Sequence, residues 1–167
     1  MTRTALIALA MTGSALLLAG AFAFQYLGGL APCPLCLWQR WPHAAAVLIG
    51  LAALALAAGG RAGRGLPILG AGAALATAGI GLYHSGIERQ WWQGPDTCSS
   101  APVAGLSPEA LLDQILAAPV VRCDEVAWAF AGLSMASWNA LLSLALAVLW
   151  LAAAARAPGR LPGTGRA

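Results

Sequence analysis

Four cysteines, Cys33, Cys36, Cys98 and Cys123, are the residues of this sequence best suited to chemistry. A thiolate attacks a disulfide sulfur, so an even set of cysteines on an oxidising surface reads as disulfide exchange. Cys33-Pro34-Leu35-Cys36 has the C-x-x-C form of a redox motif. If a helix begins there, Cys33 falls near the N-cap, Pro34 takes the first-turn position that proline favours, and Cys36 lies in that turn. Exposed backbone N–H groups and the positive end of the helix dipole would stabilise a thiolate and lower its pKa. Arg40 follows Cys36 by four residues, one turn on along the same face. Its permanent charge can hold an anionic sulfur or an acceptor's oxygen. Pro42 would then either kink the helix from inside or mark its true start.

The same cysteines can be read without catalysis, as two static staples or as the four thiolates of a zinc site. Zinc is the weaker of these, because Cys98 and Cys123 stand much further apart than a C-x₂₋₄-C knuckle, and no metal is expected. A Cys33–Cys36 bond would be local, and a Cys98–Cys123 bond would enclose 24 intervening residues. Strained, exposed C-x-x-C disulfides tend to be labile, which favours exchange over stapling.

The elements that must hold these sulfurs are set by composition. The chain is 60% hydrophobic and 9% charged, against about 25% charged residues in soluble proteins. It belongs in lipid. No basic cluster interleaved with aromatics is present, so nucleic acid is not expected as a partner, and no period of 20 to 50 residues suggests a repeat array. A spanning helix needs about 20 apolar residues. Four stretches qualify, at about 5–27, 41–59, 66–87 and 134–155, in a single membrane domain covering 1–167. Gly28, Gly29, Pro32 and Pro34 end the first. The expected fold is all-α, a four-transmembrane-helix bundle.

Orientation follows from positive charge, which is retained on the cytoplasmic side. Arg3, Arg61, Arg64, Arg156, Arg160 and Arg166 lie on one side, and Arg40, Arg89 and Arg122 on the other. Both termini, the 60–65 turn and the 156–167 tail are therefore expected in the cytoplasm. The loops at 28–40 and 88–133 then face outward with all four cysteines. All six acids (Glu88, Asp96, Glu109, Asp113, Asp124 and Glu125) fall in the longer loop. A cleaved signal peptide is the rival for the first span, since Ala21-Phe22-Ala23 imitates a cleavage site, but the apolar run exceeds the roughly 7–15 residues of a signal core.

Within the long loop, Ser107, Pro108 and Glu109 open a short helix with apolar Leu111, Leu112, Ile115 and Leu116 on one face and Asp113 opposite, ended by Pro119. It is too short to span. It is expected to lie in the membrane interface or to pack on the tops of the spans. Trp91, Trp92 and Trp128 fit an aromatic belt at headgroup level.

Taken together, the C-P-x-C motif opening the second span with Gln39-Arg40 behind it, Tyr83-His84, Cys98, Arg122-Cys123-Asp124-Glu125 and Gly132-Leu133-Ser134-Met135 resemble the DsbB family from the first span to the fourth. The resemblance implies a thiol oxidase of the bacterial inner membrane that passes electrons from a periplasmic DsbA-like, thioredoxin-fold partner to a membrane quinone, ubiquinone or menaquinone. It implies that Cys98 forms the mixed disulfide with the partner and that Cys123 resolves it. Cys123 then reaches Cys33, while Cys36 faces the quinone and Arg40 holds the ring. His84 and Glu88, a helical turn apart at the outer end of the third span, would line the same pocket and handle quinone protons. Gln39 stands where some members have an acid, which bears on the tuning of Arg40. The family includes the general oxidase and dedicated paralogues of the DsbI type.

Two rivals differ in class. A vitamin K epoxide reductase-like enzyme also pairs loop cysteines with a membrane C-x-x-C, but there the motif follows the loop pair, whereas here Cys33 and Cys36 come first. A tetraspan adaptor with two structural disulfides would have no use for Arg40 beside the motif.

Overall fold

Lipid cannot hydrogen-bond a backbone, so a chain this apolar must satisfy its N–H and C=O groups inside helices. The computed structural model describes residues 1–61, 63–95, 98, 107–117 and 121–156, with the backbone alone at Gln114 and Ala117. Asp96, Pro119 and the tail beyond Arg156 lie outside the described residues. The elements in order are α1 (Arg3–Tyr26), α2 (Pro34–Ala58), α3 (Gly65–Glu88), α4 (Pro108–Ala117), β1 (Ala129–Phe130), β2 (Leu133–Ser134) and α5 (Met135–Ala155). The protein is a mostly helical, four-span bundle: α1, α2, α3 and α5 are each long and apolar enough to cross a membrane.

These four helices close a ring, with α1 and α3 each packed against both α2 and α5. What is buried between them is small: Ala10, Ala53, Ala71, Ala74, Ala147 and Ala153 surround the larger Leu6, Ile7, Leu146 and Trp150. Many leucines, including Leu16, Leu48 and Leu151, point outward. That inversion suits lipid, where close backbone approach rather than leucine burial drives association. Gly81 permits such an approach, because a Cβ there would stand 3.1 Å from the Ala136 carbonyl oxygen and the Ala140 nitrogen of α5. Gly70 makes room for Trp150, whose ring would meet a Cβ at 2.5 Å. Gly70→Val is therefore expected to cost about 1–3 kcal/mol through overpacking. A thermal unfolding midpoint in detergent equal to that of the unaltered protein would remove Gly70 from this role.

Local chemistry sets the helix ends. The Thr2 and Ser134 side chains cap α1 and α5, accepting from Ala5 N–H and Ser137 N–H. Helix α1 stops at Tyr26 before Gly28 and a left-handed Gly29, φ 68°. Helix α2 begins at Pro34, not near 41, so the expected 28–40 loop is confined to residues 27–33, and Gln39 and Arg40 are helical. Cys33 caps this helix and Pro34 takes N1; Pro42 is carried inside it.

The outer loop excludes one of the two placements expected for α4 and adds an element that was not expected. The apolar side chains Leu112, Ile115 and Leu116 of α4 are 57%, 60% and 76% exposed, so α4 is not buried on the ends of the spans. A two-residue antiparallel hairpin pairs Ala129 with Ser134 and Phe130 with Leu133 just before α5. Its turn residues Ala131 and Gly132 both have positive φ, 51° and 76°, as a two-residue turn of type I′ requires.

Candidate functional site

The start of α2 places the first sulfur pair. As N-cap, Cys33 presents its Sγ to the backbone N–H of Cys36 at 3.2 Å, which brings the two sulfurs to 2.8 Å. The hydrogen bond to Cys36, reinforced by burial, holds the Cys33 thiol protonated well above the usual thiol range. Cys98 and Cys123 are joined by a disulfide with Cα atoms 4.9 Å apart, and Cys123 N–H donates to the Cys98 carbonyl at 2.8 Å. Both are buried. They form one apolar cluster with Cys33, Leu35 and Ile87. Cys33 Sγ, Cys123 Sγ and a His84 ring nitrogen all lie within 4.8 Å of one another. The two pairs, remote in sequence, therefore meet in one place.

Cys36 opens onto a different neighbourhood. With Arg40, His43, His84 and Asn139 it lines a cavity of about 460 Å³ where α1, α2 and α5 come together. Gln39 also borders it, and the rest of the wall is apolar, with Phe24, Trp128, Phe130 and Trp138 contributing aromatic surface. Trp128, expected in an interfacial belt, is packed against Phe24 with ring centroids 5.0 Å apart. Trp91 and Trp92 are exposed. Arg40 donates through Nη1 to Gln25 at 2.7 Å and stands 4.8 Å over the Phe22 ring. Its Nε is buried with no hydrogen-bond partner among the described residues.

His84 belongs to both neighbourhoods. Its Nε2 is 3.2 Å from the Cys123 carbonyl and 3.7 Å from Cys33 Sγ, and the ring also borders the cavity. Glu88 does not line the cavity. It accepts a short hydrogen bond from Ser134 Oγ and stands 3.9 Å behind His84 Nε2. Gln39, expected to bear on Arg40, instead bridges His84 and Asn139. Sequence reasoning missed His43, Thr77 and Asn139, although a polar residue inside an otherwise apolar span is itself a signal. On the loop beyond Cys123, the Arg122 guanidinium pairs with Asp124 at 2.6 Å and holds its carboxyl below the usual range.

This constellation of a capped C-x-x-C, a loop disulfide and an arginine-bearing cavity can be compared with known proteins. The family model described as "Disulfide bond formation protein DsbB" matches residues 3–153. The chain belongs to the DsbB family. It is similar to "Disulfide bond formation protein B" of Marinobacter nauticus, 35% identical over 146 residues that cover 81% of this chain and 82% of that one. The namesake of Stutzerimonas stutzeri is 34% identical, covering 87% and 91%, and that of an Azoarcus species 34%, covering 82% and 84%. No solved structure matches the chain. Membership in the DsbB family identifies a multi-pass membrane protein of disulfide bond formation, with an oxidoreductase role.

Proposed function

We propose that the protein is a quinone-dependent thiol oxidase of the bacterial inner membrane, with both termini cytoplasmic and its cysteines facing the periplasm. A reduced, DsbA-like thioredoxin-fold dithiol attacks Cys98 Sγ, and the electron pair leaves on Cys123. The Cys123 thiolate attacks Cys33 Sγ of an oxidised Cys33–Cys36 pair, and the leaving electron pair comes to rest on Cys36. The partner's second thiolate closes its own disulfide and frees Cys98, whose thiolate attacks Cys123 Sγ, so that the Cys98–Cys123 bond re-forms and Cys33 leaves as a thiolate. Two electrons have then moved from the partner to the cavity wall.

The observation that carries this reading is the position of Cys36: hydrogen-bonded on one side to Cys33 of the sulfur cluster, and facing the Arg40 cavity on the other. The cavity's size lies within the range of small-molecule sites, about 300–1,000 Å³, and its apolar wall with few polar groups suits a quinone head. The unpartnered Nε of Arg40 is a donor in want of an acceptor oxygen. Arg40, His84 and Cys36 would hold a quinone there, which takes up two electrons and two protons. Glu88, behind His84, would exchange protons with it rather than touch the ring. The exposed apolar face of α4 would rest in the membrane interface.

The test mixes purified protein with a reduced thioredoxin-fold dithiol and either ubiquinone or menaquinone, following quinone absorbance. Loss of absorbance coupled to partner oxidation is expected; no turnover with either quinone leaves the tetraspan adaptor with structural disulfides. Arg40→Ala should raise the quinone KM roughly 10- to 100-fold, the equivalent of one hydrogen bond from a charged donor. Unchanged saturation would remove Arg40 from the ring.

A further inference from the structure

A chain of four polar side chains crosses the bundle next to the sulfur cluster. His43 Nε2 and Asn139 Oδ1 are 2.9 Å apart, Asn139 Nδ2 donates to Gln39 Oε1 at 2.7 Å, and Gln39 Nε2 and His84 Nδ1 are 3.1 Å apart. His84 Nε2 then meets the Cys123 carbonyl at 3.2 Å. The chain therefore ties α2, α5 and α3 to the loop that carries Cys123.

Its polarity is fixed by two groups that can only accept. Gln39 Nε2 also donates to the Leu35 carbonyl at 3.2 Å, and Asn139 Nδ2 stands 3.5 Å from the Thr77 carbonyl and 3.1 Å from Thr77 Oγ1. Turning the Gln39 amide would set its oxygen against the Leu35 carbonyl and its nitrogen against that of Asn139. Turning both would set an oxygen against the Thr77 carbonyl as well. With the Gln39 nitrogen facing His84, Nδ1 of that ring must accept. The ring proton then lies on Nε2, aimed at the Cys123 carbonyl.

We infer that Gln39, backed by Asn139, is a positioning residue that holds His84 as the Nε2–H tautomer, so that His84 anchors the Cys123 backbone beside Cys33. The inference rests on the proposed relay for its purpose. In that relay the Cys123–Cys33 bond forms as the Cys33–Cys36 bond breaks, and His84 transfers no proton in this step. Its contribution is geometric: it keeps Cys123 Sγ within 4.8 Å of Cys33 Sγ. Without the Gln39 donor the ring can carry its proton on Nδ1 instead. The Nε2 lone pair would then face the carbonyl and the anchor would be lost.

The test needs neither quinone nor thiol partner, so its outcome is separable from that of the oxidase assay. In wild-type protein, ¹⁵N-resolved NMR of the histidine rings should find His84 as the Nε2–H tautomer. A mixture of tautomers there overturns the inference without any variant. In a Cys36→Ser, Cys98→Ser background, glutathione redox buffers report the effective molarity with which Cys33 and Cys123 form a disulfide. Gln39→Leu should lower it on the order of 10- to 100-fold, as expected for an anchor whose loss misplaces a reacting atom by about 1 Å. The same substitution made on top of His84→Gln, whose amide donates without tautomer control, should cause no further fall. A fall of equal size in both backgrounds would mark Gln39 as merely structural and overturn the assignment.

Discussion

Cys36→Ser is expected to abolish quinone reduction while leaving the bundle folded and the Cys98–Cys123 disulfide intact. The two halves of the expectation have separate physical grounds. Cys33, not Cys36, is the helix cap, so the hydrogen bond to the Cys36 backbone N–H survives the change and the cap's stabilisation, about 1 kcal/mol, is retained. A serine hydroxyl, in contrast, cannot join Cys33 in a disulfide, so the Cys123 thiolate has no bond to attack and no electrons reach the cavity wall. Turnover followed by quinone absorbance should fall to the level of a protein-free control. Cys98→Ser is the contrasting case: partner oxidation should stop, yet quinone binding at the Arg40 cavity should persist, because Cys98 is not among its lining residues. Normal turnover by both variants would dismantle the relay.

How much of this was legible before the structure depends on what each feature needs. The four spans were legible because about 20 apolar residues in a row have few other uses. The end of α1 was legible because Gly28 and Gly29 cannot hold a helix at its rim. The start of α2 was not, since Pro34 and Pro42 are both compatible with a first turn, and what decides between them is the Cys33 side chain acting as a cap. The hairpin before α5 was missed because each strand is two residues long and Ala131 takes a positive φ without the asparagine or glycine that would announce it.

The site divides in the same way. Cysteine positions carried the exchange chemistry, and Arg40 one turn beyond Cys36 could be placed on a face by counting. His43, Thr77 and Asn139 lie on three different helices, and their meeting depends on how each helix is rotated about its axis, which weak apolar periodicity does not reveal in a span apolar all round. Glu88 and Trp128 have contacts that spacing alone did not show. Helical spacing put Glu88 beside His84, where it is, but its carboxylate bonds the Ser134 hydroxyl of the neighbouring helix start and does not line the cavity, while Trp128 packs on Phe24 and does.

Cys123→Ser should convert a transient complex into a lasting one. Consider a thioredoxin-fold partner with its second active-site cysteine replaced by serine and its remaining thiol carried as an aromatic mixed disulfide. In the reduced protein, the Cys98 thiolate attacks the partner sulfur, the aromatic thiolate departs, and Cys98 and the partner are joined. The unaltered chain then has an internal exit: Cys123 attacks Cys98 Sγ, releases the partner thiolate and closes its own disulfide. That exit is close at hand, because the Cα atoms of the pair are 4.9 Å apart and the Cys123 N–H holds the Cys98 carbonyl at 2.8 Å. A serine at 123 cannot take it. The covalent complex, seen as a shifted band without reductant and by intact mass, should outlive the unaltered one by on the order of 100-fold or more, since an adjacent thiolate acts at an effective concentration that no free thiol reaches. Clearance at the same rate in both proteins would mean that another sulfur resolves the partner. Cys33 is then the first to suspect, because it shares the buried cluster with Cys98 and Cys123, and the inner pair would exchange electrons with the partner through Cys98 without passing through Cys123.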